Sequence, residues 1–209
     1  MRKQLNLVLA VGLVALAAGA SQLSAQAAPV AIGNPSFETV PAGGVGDWNT
    51  FAGGPGAVSQ QATIMPRTGN GHMDLQIGGA NAFAGVYQPT GLVINPGDIV
   101  TLSGYHKSLV DPFNATRELK LEWTGAPQLR VDTLVIPTDY TQFSLQGVAP
   151  AGTTGLTITY AISSFGAGQG EANVYLDDIS LDVVRIPEPA SMMLGAIGLM
   201  GLVGLVRRR

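Results

Sequence analysis

Arg117-Glu118-Leu119-Lys120-Leu121-Glu122-Trp123-Thr124 changes side-chain character at every step. In an extended chain successive side chains point to opposite faces. Leu119, Leu121 and Trp123 therefore share one face, and Glu118, Lys120 and Glu122 the other, as in a strand with one side in a core. The same period returns at Leu156, Ile158, Tyr160 and Ile162, which alternate with Thr157, Thr159, Ala161 and Ser163. Phe143 and Leu145 mark a further strand, and Val100 and Leu102 sit in one that follows the turn Asn95-Pro96-Gly97-Asp98. Glycine and proline recur between these stretches as punctuation. Ala42 to Gly56 reads as a long glycine-rich loop broken by a short strand from Asp47 to Phe51. No long stretch of helical period lies outside the two ends, and no internal repeat is evident. Strands about ten residues apart predict an all-β chain folded as a sandwich.

The two ends are of another kind. Arg2 and Lys3 precede an apolar run from Leu5 to Ala20, and Ala25-Gln26-Ala27 offers the small residues that signal peptidase needs. Residues 1–27 are expected to be a helical signal peptide. At the far end Pro187-Glu188-Pro189 is followed by an apolar run, Ala190 to Val206, and then by Arg207-Arg208-Arg209. Seventeen helical residues reach about 25 Å, the short end of a bilayer span. Three arginines after it would hold the tail on the cytoplasmic side.

This order resembles the PEP-CTERM sorting signal of Gram-negative bacteria that make exopolysaccharide. The resemblance implies that the chain is exported, held transiently in the inner membrane by its transmembrane helix 190–206, and processed by an exosortase near Pro187, Glu188 and Pro189. Its destination would be the cell surface, the outer envelope or the extracellular matrix.

Residues 28–186 remain, about one domain's worth of chain. They hold six basic and thirteen acidic residues, for a net charge of −7. An acidic domain argues against nucleic acid and against adhesion to anionic lipid. There is no cysteine, so neither disulfides nor thiolate chemistry is available. The high overall hydrophobicity, 46%, partly reflects the two ends and does not imply a polytopic membrane protein.

Five motifs follow one another in this domain: Asn34-Pro35-Ser36-Phe37-Glu38, Asp47-Trp48, Leu92 to Asp98 running into a strand, Thr138 to Phe143, and Val174 to Leu181. Together they resemble the galactose-binding-like jelly rolls of the carbohydrate-binding modules, over about residues 32–183. The resemblance implies a jelly-roll sandwich whose first and last motifs are neighbouring strands. It also implies a structural calcium between them, held by Glu38 and the pair Asp177-Asp178. Counted by twos, Asp178 shares the inward face of Val174 and Leu176, where a cation would offset the cost of a buried carboxylate. The further implication is a glycan site, for which flat exposed rings are needed. Trp48, Tyr87 and Tyr105 are the candidates, with Tyr140 beside them, whereas Trp123 continues the Leu119-Leu121 core face.

Catalysis has little support. His72 and His106 are the only histidines and lack a His-x-x-x-His spacing, and no Gly-x-Ser-x-Gly elbow occurs. Glu118 and Glu122, four apart on one strand face, would be about 13 Å apart, beyond the separation that glycosidases use. Both are expected on a solvated outer face. The expected function is binding of extracellular polysaccharide, without enzymatic activity. The alternative is a self-associating matrix protein of the same fold with no specific glycan site.

Overall fold

Eleven strands and no helix make up residues 27–186, the part described by a computed structural model of the chain. In order they are β1 (Ala27–Val30), β2 (Asn49–Gly53), β3 (Val58–Ala62), β4 (His72–Gly78), β5 (Phe83–Pro89), β6 (Ile99–Ser108), β7 (Thr116–Thr124), β8 (Leu129–Thr133), β9 (Thr141–Val148), β10 (Gly155–Ser163) and β11 (Glu171–Val184). The signal helix and the 190–206 span lie outside the described residues.

The strands form two antiparallel sheets. The first has the order β3-β4-β11-β6-β9, with β1 also on β11; the second runs β2-β5-β10-β7-β8. The alternating strands form where the sequence places them. Arg117 to Thr124 is β7, paired with β10 from Gly155↔Thr124 to Ser163↔Thr116. Leu119, Leu121, Leu156, Ile158, Tyr160 and Ile162 enter the core, and Trp123 closes one end of it. Against them lie Met73, Leu75, Ile77, Val100, Leu102, Phe143, Leu145, Val174, Leu176, Leu181 and Val183 from the first sheet. Each such side chain, fully buried, contributes about 1.5–3 kcal/mol. Two polar contacts cross between the sheets, His106 Nδ1 to Tyr160 Oη at 2.7 Å and Ser59 Oγ to Gly85 O at 2.8 Å.

β11 is the spine of the first sheet. Along one edge it pairs with β4 through Leu176 and with β1 from Leu181, while β6 runs along its other edge. Between Asp177 and Ser180 the ladder carries a bulge, and Asp178 there has φ +49°. Aspartate is among the few residue types that tolerate this region. The bulge coincides with the gap between β4 and β1, and two loops fill that gap.

Two expectations change here. Asn34 to Glu38 does not form a strand; it is a turn, with Phe37 at φ +52°. Its motif does adjoin the last strand, because Ile179 N donates to Pro35 O at 2.9 Å. Glu118 is not solvated but 8% exposed: it accepts from Ser163 Oγ and pairs with Lys120 at 2.9 Å and Arg130 at 3.4 Å. The outer face of β7 is roofed by its own Lys120 and by Arg130 of β8, so alternation alone overstates its exposure.

Candidate functional site

The bulge in β11 places its two aspartates differently from a count by twos. Asp177 is the fully buried one, and Asp178 is the extra residue, half-buried and turned toward the loops. The bulge adds one residue, so the period restarts with Ile179 inward.

Both carboxylates, with Glu38, close around the segment 67–71. Asp177 accepts from the backbone N–H groups of Arg67 at 2.8 Å, Thr68 at 3.3 Å and Asp178 at 2.8 Å. Asp178 accepts from Ser36 Oγ at 2.8 Å, Thr68 Oγ1 at 2.6 Å and the Arg67 guanidinium. Glu38 accepts from the N–H groups of Asn70 at 2.9 Å and Gly71 at 3.4 Å. Gly69 sits at φ +59° with no room for a Cβ beside Glu38.

Burial pushes the Asp177 carboxyl up, and the three N–H groups oppose it. Burial also acts on Asp178, but the hydrogen bonds from Thr68, Ser36 and Arg67 together outweigh it and hold that carboxyl below the usual range. The three carboxylates thus bind the first motif, the last strand and the loop before β4 into one corner. Among the described residues no three acidic or histidine side chains converge closely enough to form a metal cage as they stand. Three carboxylates against one guanidinium still leave the corner with two excess negative charges.

Beside this corner lies the outer face of the first sheet. Register sets Gln60, Asp74, Tyr175 and Lys107 in one row across β3, β4, β11 and β6. Gln76 faces Asn173 in the next row, and Tyr105 lies opposite Asp177 and Gln142 on the other side. The Arg67 guanidinium stacks 3.4 Å from the Tyr105 ring centre, and Lys107 Nζ lies 4.8 Å from that of Tyr140. Tyr140 Oη donates to Met65 O at 3.3 Å, so two loops meet over this end of the face. His72 is buried beneath, its ring 4.0 Å from that of Tyr175. Burial and then the Lys107 charge lower the His72 pKa to about 4. Asp74 accepts from Gln76 Nε2 at 2.7 Å, and burial raises its carboxyl above the ordinary value.

Four buried polar atoms on this face have no hydrogen-bond partner: both nitrogens of His72, Asp74 Oδ1 and Asn173 Oδ1. The face therefore offers aromatic rings, amides, one carboxyl and one ammonium, with spare hydrogen-bonding capacity at its floor. Depressions of about 310 and 250 Å³ lie elsewhere, around Phe113 and Leu134, and Asp111 is their only titratable side chain.

The three aromatic candidates are not brought together. Trp48 is core: 2% exposed, 5.2 Å from Phe37, with its Nε1 donating to Asn34 O at 3.1 Å. It anchors the opening motif and is unavailable for stacking on a ligand, because the turn 34–38 folds back over it. Tyr105 belongs to the outer face just described, half-buried under Arg67. Tyr87 is 36% exposed on the outer face of the other sheet. Sequence reading missed Asp74, His72, Asn173, Lys107 and Arg67. Asp74 and His72 stand two apart on one strand, a signal that could have been followed; Arg67 lies in a loop without a pattern.

With this geometry in place, known proteins can be compared. Residues 185–209 match the PEP-CTERM protein-sorting motif. This is the mark of proteins that are exported, processed by an exosortase and sorted at the membrane to the cell surface, and Pro187, Glu188, Pro189, Arg207, Arg208 and Arg209 fall within the match. No curated protein matches the chain by sequence.

Among solved structures the chain resembles the CBM22-1 xylan-binding domain from Paenibacillus barcinonensis Xyn10C, at 18% identity and TM-score 0.52, over 73% of this chain and 93% of that one. It also resembles the apo form of a cyclase from Fischerella sp., at 16% identity and TM-score 0.56, over 79% of this chain and 100% of that one. A third likeness is to the enzymatically active domain of tailspike protein 4 from Bacteriophage CBA120, at 14% identity and TM-score 0.55, over 73% of this chain. The match spans 21% of that tailspike chain. At such identities the likeness is one of fold: the described residues form a jelly-roll sandwich like those of carbohydrate-binding modules, an architecture that enzymes also use.

Proposed function

We propose that this is an exported, exosortase-sorted protein whose sandwich binds extracellular polysaccharide, without catalysis, on the outer face of the first sheet. One observation carries the reading: four buried polar atoms without partners lie on a face lined by tyrosine rings and amides. An unpaired buried polar group costs about 1–3 kcal/mol, and sugar hydroxyls would recover that cost once the covering side chains of Tyr175 and Gln76 shift to admit them. Tyr105 and Tyr140, half-buried beside Arg67 and Lys107, offer partly exposed rings, and Gln60, Gln76, Asn173 and Lys107 offer directional donors and acceptors. The sorting motif supports a role at the cell surface or in a biofilm matrix rich in exopolysaccharide.

The test is a glycan array on the chain, followed by titration of Asp74→Asn and Lys107→Ala. Each substitution is expected to weaken binding by about tenfold with the melting temperature unchanged. A blank array together with concentration-dependent assembly would transfer the protein to the self-associating matrix class.

A structural calcium is a second proposal for the corner at Glu38, Asp177 and Asp178. The two excess negative charges support it. The ion would take carboxylate oxygens now given to the 67–71 amides.

A further inference from the structure

The outer face of the second sheet carries a row of aromatic rings. Tyr87 lies 6.1 Å from Phe51, Phe51 6.1 Å from Phe83, and Phe83 6.2 Å from Phe165, centre to centre. Three of the four sit on β2 and β5, where register pairs Asn49 with Tyr87, Phe51 with Gly85 and Gly53 with Phe83. Each phenylalanine of these two pairs thus faces a glycine. A Cβ on Gly53 would lie 2.6 Å from the Phe83 ring, and one on Gly85 2.5 Å from the Phe51 ring. The missing side chains let both rings lie down against the sheet. The row is exposed: Phe83 and Tyr87 at 36% and Phe165 at 62%.

Next to the rings, β10 presents Thr159 opposite Tyr87 and Ser163 opposite Phe83. Their hydroxyls already donate, at 2.8 Å each, to Glu122 and Glu118 on β7. An apolar track, its neighbouring rings tilted by 36°, 46° and 35° to one another, thus runs alongside a polar margin.

We infer that this row is a second carbohydrate-binding surface, on the opposite side of the sandwich from the first. Its ligand is an extended polysaccharide whose sugar rings expose flat C–H faces. Such a C–H face is complementary to the negative face of an aromatic ring. Rings repeating at about 6 Å are matched by a chain that presents one such face after another.

A second copy of the protein is a poorer occupant. The exposed parts of these rings amount to roughly 300 Å², against about 800 Å² per partner in a stable protein interface.

If both surfaces bind, one domain holds two chains and cross-links a polysaccharide. That consequence rests on the reading of the first sheet; binding by the aromatic row does not.

The test uses the full chain in detergent and two insoluble probes of packed flat chains, microcrystalline cellulose and crystalline chitin. Retention on at least one is expected, with about a tenfold loss for Tyr87→Ala and for Phe165→Ala and a larger loss for the pair. Tyr87→Trp should restore binding, and the melting temperature of each variant checks that the sheet is intact. The Tyr87→Ala and Phe165→Ala losses are read both in the wild-type chain and in an Asp74→Asn background: the same loss in both belongs to the aromatic row whatever the first face binds, which separates failure of this surface from failure of the other. No retention of the wild-type chain on either probe, or equal retention of the double alanine variant, would overturn the inference. So would loss of dimerisation, instead of retention, in that variant.

Discussion

On the outer face of the second sheet the charged half is internally matched: Glu118 meets Lys120 and Arg130, and Arg130 meets Asp132 at 2.7 Å. The other half is apolar rings. On the outer face of the first sheet, His72, Asp74 and Asn173 keep buried atoms without partners. The first face is built around unmet hydrogen-bonding capacity, the second around exposed ring area. The two would hold sugars by different physics, directional polar contacts in one case and ring stacking in the other. Their responses to perturbation should differ accordingly, because β11, the bulge and His72 all belong to the first sheet.

The largest break comes from the spine. Deleting residues 177–186 removes the bulge and Ile179, Leu181 and Val183, each contributing about 1.5–3 kcal/mol against a total stability of about 5–15. The cooperative β-rich melt seen by circular dichroism should vanish. Its survival would show that the second sheet holds the fold without the spine of the first.

Acid is the next perturbation. His72 and His106 have pKa values of about 4 and about 3, lowered by burial first and then by the charges of Lys107 and Arg117 respectively. Unfolded, each takes a proton near 6.5. The unfolded chain therefore binds more protons between pH 6.5 and these values, and stability falls as the pH drops through that window. At pH 4.5 each histidine should cost on the order of 2–3 kcal/mol. The raised carboxyls of Asp74 and Asp177 work the other way just above their ordinary range. Melting curves from pH 7 to 4.5 test this, and His72→Gln should remove part of the slope. A flat profile would mean that both imidazoles are protonated in the fold.

The smallest expected effect is at the acidic corner. If the ion is held at a hundred times its dissociation constant, a chelator should remove about 2.7 kcal/mol. For a domain of this size that lowers the melting temperature by roughly 5–11 °C. Glycan binding on the first face should weaken with it, and retention by the aromatic row should not. Identical melts would leave the corner to Arg67 and the loop amides alone.

Strand identity was read on the longest alternating runs, while β4, with Met73, Leu75 and Ile77 in the core, went unread. β7, β9 and β10 lie where their alternation puts them, and the turn before β6 closes with Asp98 N donating to Asn95 O at 3.1 Å. The opening motif and the last strand were correctly read as neighbours. Trp48 was misread because a glycine-rich loop gives no sign of its own folding, and only the return of Asn34 over the ring buries it. The side of Asp178 was misread because the bulge adds a residue, and one added residue reverses every later assignment; Asp177 is buried by the 67–68 loop and not by the core. The aromatic row was half seen: Tyr87 was singled out, but Phe83 lies four residues before it on β5, and Phe51 and Phe165 come from two other segments.

The sequence alone determined the sorting address at the C-terminus, the all-β class and the core faces of the long strands. These depend on runs and periods within a single segment, where nearest neighbours in the chain carry the physics. Tertiary structure alone decided that Asp177 is the buried acid, that Tyr105 and Tyr87 lie on opposite faces, and that two phenylalanines pack over two glycines. Those outcomes depend on register between strands and on one residue in the left-handed region. Both are set by the packing of segments far apart in the chain, which no local pattern encodes.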